Sequence, residues 1–206
     1  MSVKNRHLFI SIHPAIDMDL DSVIEKRHSA RTFKNKKASW KSVLEAIDAA
    51  IKAPFADNRC HLKFLIIEDK KTIDKIAEFA KQLWINQSSI LVLICSDDSN
   101  LENMHGERGR VYSRQQSGAA IENFLLKITD LGLSACWIGS YSDELIKELL
   151  KIPHHIQIEA IIPIGYEPGS SKRKRKPALE NHLFWETWDQ SKRPALFREG
   201  PETDVV

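Results

Sequence analysis

Two short runs of this chain carry cations at spacings suited to gripping an anion. Near the start, Lys26-Arg27-His28-Ser29-Ala30-Arg31 leads into Thr32-Phe33, and near the end stands Lys172-Arg173-Lys174-Arg175-Lys176. A guanidinium presents a planar fork of N–H donors that matches a phosphate bidentately, through charge-assisted bonds stronger than neutral ones. If the chain leaves a helix extended after Lys26, alternation sets Arg27, Ser29 and Arg31 on one side. A charge pair at about 4 Å has a gross Coulomb term of roughly 4 kcal/mol at an effective dielectric near 20, before desolvation. Two or three such contacts suffice to hold a phosphorylated ligand tightly. The plain alternative for the first run is a solvated helix end, where cations suit the macrodipole. For the second run it is a solvated basic loop, or a nucleic-acid patch.

Other residues bear chemistry more quietly. Asn58 follows Asp57 and offers an amide donor and acceptor, and is equally a common turn residue. Gly139 closes Trp137-Ile138-Gly139 and lets a main chain approach a ligand without a Cβ. Gly118-Ala119-Ala120 on a helix admits a flat ring or a second helix. Cys60-His61 and His154-His155 have no second pair at zinc spacing, so no metal site is expected. Neither Glu122 nor Lys127 stands out from a solvated face.

These groups need a scaffold. Segments of helical period alternate with short apolar runs, the pattern of helices packed on a sheet. Asp21 is a candidate cap for a first helix that delivers Arg27 and His28 at its end. After Ser39, the residues Trp40, Val43, Leu44, Ile47, Ala50 and Ile51 recur at spacings of three and four, and Pro54 ends that helix. Strands are expected over 62–67, 90–95, 135–138 and 158–164, with 90–95 aliphatic enough to be buried on both faces. Helices are expected from Thr72 through Ala80, from Ser113 to Leu131 with Gly132 as the left-handed C′ residue, and from Ser142 until Pro153. Residues 97–110, rich in polar groups and lacking a period, read as a surface excursion.

The chain of 206 residues is 42% hydrophobic, enough for one sizeable core. Lys and Arg number 30 against 28 for Asp and Glu, a net charge of +2, so the chain lacks the strong positive field of a dedicated nucleic-acid binder. Cys60, Cys95 and Cys136 are odd in number and widely spaced, as in a reducing, cytoplasmic setting. The apolar run 8–12 is too short for a signal segment, and no run reaches bilayer length. The expected organisation is an N-terminal extension over 1–20, a domain over 21–185 and an arm over 186–206.

Three segments resemble the FMN-dependent nitroreductase superfamily, over roughly residues 20 to 185. Lys26-Arg27-His28-Ser29-Ala30-Arg31-Thr32-Phe33 is similar to its flavin-phosphate motif, and Ala53-Pro54-Phe55-Ala56-Asp57-Asn58 to its Ala-Pro-Ser-x-x-Asn. The third and most specific runs from Gly118-Ala119-Ala120-Ile121-Glu122-Asn123-Phe124 through Leu131-Gly132-Leu133 to Trp137-Ile138-Gly139. The resemblance implies an α+β fold with a central, mainly antiparallel sheet flanked by helices, assembled as a homodimer with FMN at the interface. It implies Arg27, His28, Ser29, Arg31, Arg173 and Arg175 on the phosphate, Asn58 on the ring edge, and the main chain of Trp137, Ile138 and Gly139 beside the ring. Two departures stand out. Arg59-Cys60-His61-Leu62 replaces the family's x-Gln-Pro-Trp, and Ala178 interrupts its Pro-Leu-Glu.

The activity so implied is a ping-pong redox cycle, in which NAD(P)H passes hydride through FMN to a small electron-poor acceptor such as a nitroaromatic or quinone. The flavin carries the chemistry, and no general acid or base is evident. One rival is a flavin-binding or sensor module of the same fold that turns nothing over. A more distant one is a nucleic-acid-associated protein using 172–176.

Overall fold

The computed structural model describes residues 18–169 and 177–192. The chain divides into two units, Met1–Ser171 and Lys172–Val206, each described by itself.

The first unit is a sheet between two layers of helices. Helix α1, Leu20–Lys26, is capped by Asp19, whose carboxylate accepts from the Ser22 amide at 2.9 Å. The cap therefore stands two residues before Asp21, which is left for the first turn, where a negative charge suits the helix dipole. Helix α2, Trp40–Ala50, starts from Ser39 as its period predicts, and buries Val43, Ala46 and Ala50.

Strands β1 (Leu62–Ile67), β2 (Ile90–Ser96), β3 (Ser134–Ala135) and β4 (Gln157–Gly165) form one antiparallel sheet in the order β1-β2-β4-β3. Every residue of β2 is buried, as its aliphatic run requires of a strand with neighbours on both sides. Helix α3, Lys70–Phe79, capped by Asp69, and helix α6, Asp143–Leu150, cover one face through Ile73, Ile76 and Ile146 against Leu91, Leu93 and Ile161. On the other face, α2 packs with a 24-residue helix through Ala120, Phe124 and Ile128 on Ile90, Val92 and Ile162.

The long helix corrects one expectation. Residues 97–110 are not an irregular excursion: helix α4, Ser99–His105, meets helix α5, Glu107–Asp130, at Gly106 with φ 58°. Gly109 makes the elbow possible, since a Cβ there would overlap the Leu101 carbonyl. At its far end α5 closes as expected, with Gly132 at φ 71° and Leu133 donating back to the Ile128 carbonyl at 3.0 Å.

β4 carries a bulge. Ile94 pairs with Ala160 and Cys95 with Ile158, leaving Glu159 unpaired and re-aimed out of the ladder. Its carboxylate accepts from the Ser96 hydroxyl at 2.5 Å and pairs with Arg114, which also pairs with Asp98. Asp98 in turn accepts from Ser113 and lies 3.0 Å from the Ser96 hydroxyl.

In the second unit, residues 179–182 make a single 3-10 turn, and the rings of Phe184 and Trp188 lie 5.1 Å apart. No helix among the described residues is long and apolar enough to cross a membrane.

Candidate functional site

Helix α1 stops at Lys26 because Arg27 turns extended, with φ −60° and ψ 125°, while its amide still donates to Val23. The extended run then joins the sheet. Ser29 bridges Ala135 in parallel, and the Ala30 amide donates to the Ala135 carbonyl at 3.0 Å. Alternation does what the spacing predicts: Ala30 is 1% exposed and faces the core, while Ser29 and Arg31 face out. Phe33 anchors the run from behind. It is buried against Gly165, where a Cβ would stand 2.8 Å from Phe33 Cδ1, and the Lys34 amide donates to the Tyr166 carbonyl at 2.7 Å.

Just beyond β3 lies the buried Cys136 thiol, which donates to the Trp137 carbonyl at 3.8 Å. The thiol is pushed up by burial, against the pull of the Arg31 charge and of hydrogen bonds from Ser29 and Arg31. Arg27 forms an ion pair through Nε with Glu122 on α5, at 3.1 Å. Glu122 is thus a partner of the motif, a role its exposed place on α5 did not suggest.

His28 belongs to the motif in sequence, but its ring is held within the chain. Nδ1 lies 2.9 Å from the Lys26 carbonyl and Nε2 2.7 Å from Glu167. It fixes the path of the segment between Arg27 and Ser29.

Two residues further on from Ala135, the main chain opens. Trp137 is 41% exposed while Ile138 is buried, and Ile138 exchanges both backbone bonds with Ile161, at 3.0 and 3.1 Å. A main-chain donor at this turn must therefore come from Trp137 or Gly139. A Cβ on Gly139 would meet nothing within 4 Å, so the backbone there is open to close approach.

Asn58 lies elsewhere. It follows Asp57 in a 3-10 turn, both with positive φ, 52° and 54°. The turn leads to Leu62, which pairs with Ser96, itself opposite Gln157. Ser29 sits at the other corner, through Ala135 and Ile164. Seven residues along β4 and four strand spacings separate the corners, on the order of 25–30 Å. Four residues from Leu62 to Asn58 reach back at most roughly 14 Å. Arg173 and Arg175 lie outside the described residues.

The departure at 59–62 has a structural counterpart. His61 points inward, its Nε2 3.3 Å from the Ser117 hydroxyl on α5, and its Nδ1 is buried without a partner. Burial lowers its pKa, and the Asp98 charge only partly opposes this. Cys60 is exposed. No spacing in the sequence announces the contact between His61 and Ser117, which are 56 residues apart.

A groove of about 560 Å³ opens between α2 and α5, lined by Glu45, Asp48, Lys52, Asn123, Leu126 and Lys127. Its charges are of both signs, so it has no evident preference for an anion, and we place the site at the β3 edge.

Comparison with known proteins gives a consistent picture. Residues 24–94 and 84–166 match the model of the Nitroreductase family. A protein of Methanothermobacter thermautotrophicus named as an NADH dehydrogenase/NAD(P)H nitroreductase is 26% identical over 192 residues, 89% of this chain and 97% of its own length. The crystal structure of a nitroreductase family protein from Clostridium novyi superposes with a TM-score of 0.68 at 26% identity, covering 84% of this chain and 96% of that one. That of a BluB-like flavoprotein from Clostridium difficile does so with a TM-score of 0.70 at 25% identity, covering 82% of this chain and all of that one.

Proposed function

The chain belongs to the nitroreductase family, and on that premise we propose that it is an FMN-dependent oxidoreductase carrying electrons from NAD(P)H to a small electron-poor acceptor, a nitroaromatic or a quinone. The observation that carries this reading is that Ser29 and Arg31 face outward at the β3 edge, with Arg27 leading into them and an open main chain at Gly139. Two guanidiniums and a hydroxyl suit a phosphate, and a glycine backbone suits a flat ring. The names of the archaeal relative and of the clostridial flavoprotein support the electron donor and the flavin.

Arg31 and Ser29 would hold the phosphate, with Arg27 turned to it through the Nη groups that Glu122 leaves free. His28 would hold the motif in register through Glu167. The Gly139 or Trp137 amide would bond the ring, since that of Ile138 is spent on Ile161. When bound, FMN supplies a reversible two-electron store that lets donor and acceptor use one site in turn, the ping-pong order.

The distance between Ser29 and Asn58 favours a homodimer. A phosphate grip at one corner of the sheet and a ring-edge amide at the other are best combined when Asn58 comes from a second copy. Exposed Ile24, Val111 and Trp137, at 51%, 43% and 41%, are apolar surface for such a copy to cover. The three free thiols suit a cytoplasmic protein.

A second reading, a flavin-binding module without turnover, is favoured by one observation: His61 is turned into the core against Ser117, so the residues at 59–62 offer the ring edge little. A visible spectrum and anaerobic reduction separate the readings. The purified protein should be yellow, or become so with FMN, and bleach with NADH or NADPH. A colourless protein that takes up no FMN sinks the proposal. A yellow protein that neither dinucleotide bleaches favours the binding module.

A further inference from the structure

The elbow between α4 and α5 holds an aromatic ring between two basic side chains. His105, at the end of α4, meets the Tyr112 ring edge-on, with centroids 5.4 Å apart and planes at 74°. Arg108, one turn before Tyr112 on α5, holds its guanidinium carbon 5.6 Å from the centre of the same ring. A guanidinium placed over a ring spends its face there and keeps its edge donors for another group.

The neighbouring charges are already engaged. Glu102 pairs with Arg110, and Asp57 lies 3.4 Å from His105 Nε2. Glu107 precedes Arg108 in sequence, but successive residues project about 100° apart around a helix. Among the described residues, no carboxylate forms an ion pair with Arg108. An unneutralised guanidinium over an aromatic ring is complementary to an aromatic molecule that bears an anionic group.

The elbow is also tied to the Asn58 turn. The contact between His105 and Asp57 joins α4 to the residue immediately before Asn58. We propose that this elbow docks the carboxylate of an aromatic electron acceptor, with Arg108 taking the anion through its edge donors and the rim of the Tyr112 ring meeting the acceptor's ring. The proposal rests on the reading of Asn58 as a contact to the flavin edge.

The test compares 4-nitrobenzoate with its neutral methyl ester as acceptors for the FMN-loaded enzyme. Arg108→Gln should lower the ratio of the two kcat/KM values, acid over ester, roughly fivefold or more, since a charged hydrogen bond is lost to one acceptor only. Arg108→Lys, which keeps the charge without the fork, should fall between. An unchanged ratio overturns the proposal. So does a defect confined to reduction by NADPH, which assigns the elbow to a dinucleotide phosphate instead. Flavin content, read from the visible spectrum of each preparation, separates the two levels. A wild-type protein that takes up no FMN fails the flavin reading and this one with it, whereas a yellow enzyme with an unchanged ratio fails the elbow alone.

Discussion

The Nε of Arg27 lies 3.1 Å from Oε1 of Glu122, so the first residue past α1 is tied to the outer face of α5. The pair is partly exposed, at 21% and 48% of the two side chains, and is worth little to stability. Its negative charge matters more to an anion beside Arg27. Glu122→Gln should leave the melting temperature nearly unchanged while tightening FMN binding, roughly twofold to tenfold by Coulomb arithmetic across a wet site. Fluorescence titration with FMN checks this, and weaker binding would mean that Glu122 aims the guanidinium rather than competing for it.

The two cationic runs should not be equivalent. Arg27→Ala with Arg31→Ala removes two side chains of the run that joins the β3 edge, and should raise the Kd for FMN at least roughly a hundredfold. Lys172→Ala with Lys174→Ala should cost less than roughly tenfold. Equal losses in parallel titrations would overturn the ranking.

Gly165 and Gly139 make a contrasting pair. At Gly165 a Cβ meets the buried Phe33 ring at 2.8 Å, so Gly165→Ala should cost about 1–3 kcal/mol by overpacking. At Gly139 the added methyl meets nothing within 4 Å, so Gly139→Ala should fold normally yet take up FMN poorly. Thermal melts and flavin content together test both, and equal melting temperatures for the two variants would contradict the packing account.

Much of this was legible before any coordinates, for reasons that differ by residue. The period of α2, the aliphatic run of β2 and the glycine after α5 are local signals with local outcomes. The alternation of Ser29 and Arg31 was equally readable, because an extended exit from α1 sets every second residue on one side. The start of α5 was not. Residues 107–112 carry no apolar period, and what keeps them helical is the packing of Gly109 on the Leu101 carbonyl, a tertiary contact. The network at Asp98 was hidden for the same reason, since Glu159 reaches it only through a bulge in β4.

That network gives a stability test. Arg114 pairs with Asp98 and Glu159, whose side chains are 9% and 11% exposed, while its own is 44% exposed. Arg114→Met strands two nearly buried carboxylates and should cost about 2–4 kcal/mol, somewhat below the value for a fully buried pair. Urea denaturation measures it, and a loss under about 0.5 kcal/mol would mean that the serines alone satisfy the acids.

The buried His61 makes stability fall with acid. Its pKa is lowered from the ordinary 6.5, so below that value the unfolded chain takes up a proton that the folded one refuses. The contribution is intact above pH 6.5 and is lost as the pH falls toward the depressed folded value. Melting curves between pH 7.5 and 5.5 should show a steeper decline for wild type than for His61→Gln. Parallel curves would place the imidazole in water.

Helix α5 has 24 residues, roughly 36 Å at 1.5 Å per residue, running from the elbow at Gly106 to the turn at Gly132. It touches His61 through Ser117 near its middle, Arg27 through Glu122 five residues on, and hands the chain to β3 at its C-terminal end. The helix is therefore a ruler, setting by residue count the interval between the His61 contact and the β3 edge. One residue inserted near Ala120 would turn everything beyond it by about 100°, moving Glu122 away from Arg27 and mistiming β3 against Ser29. The same insertion would carry Phe124 and Ile128 off the core they fill, so a single residue added far from the β3 edge should loosen the sheet and that edge together.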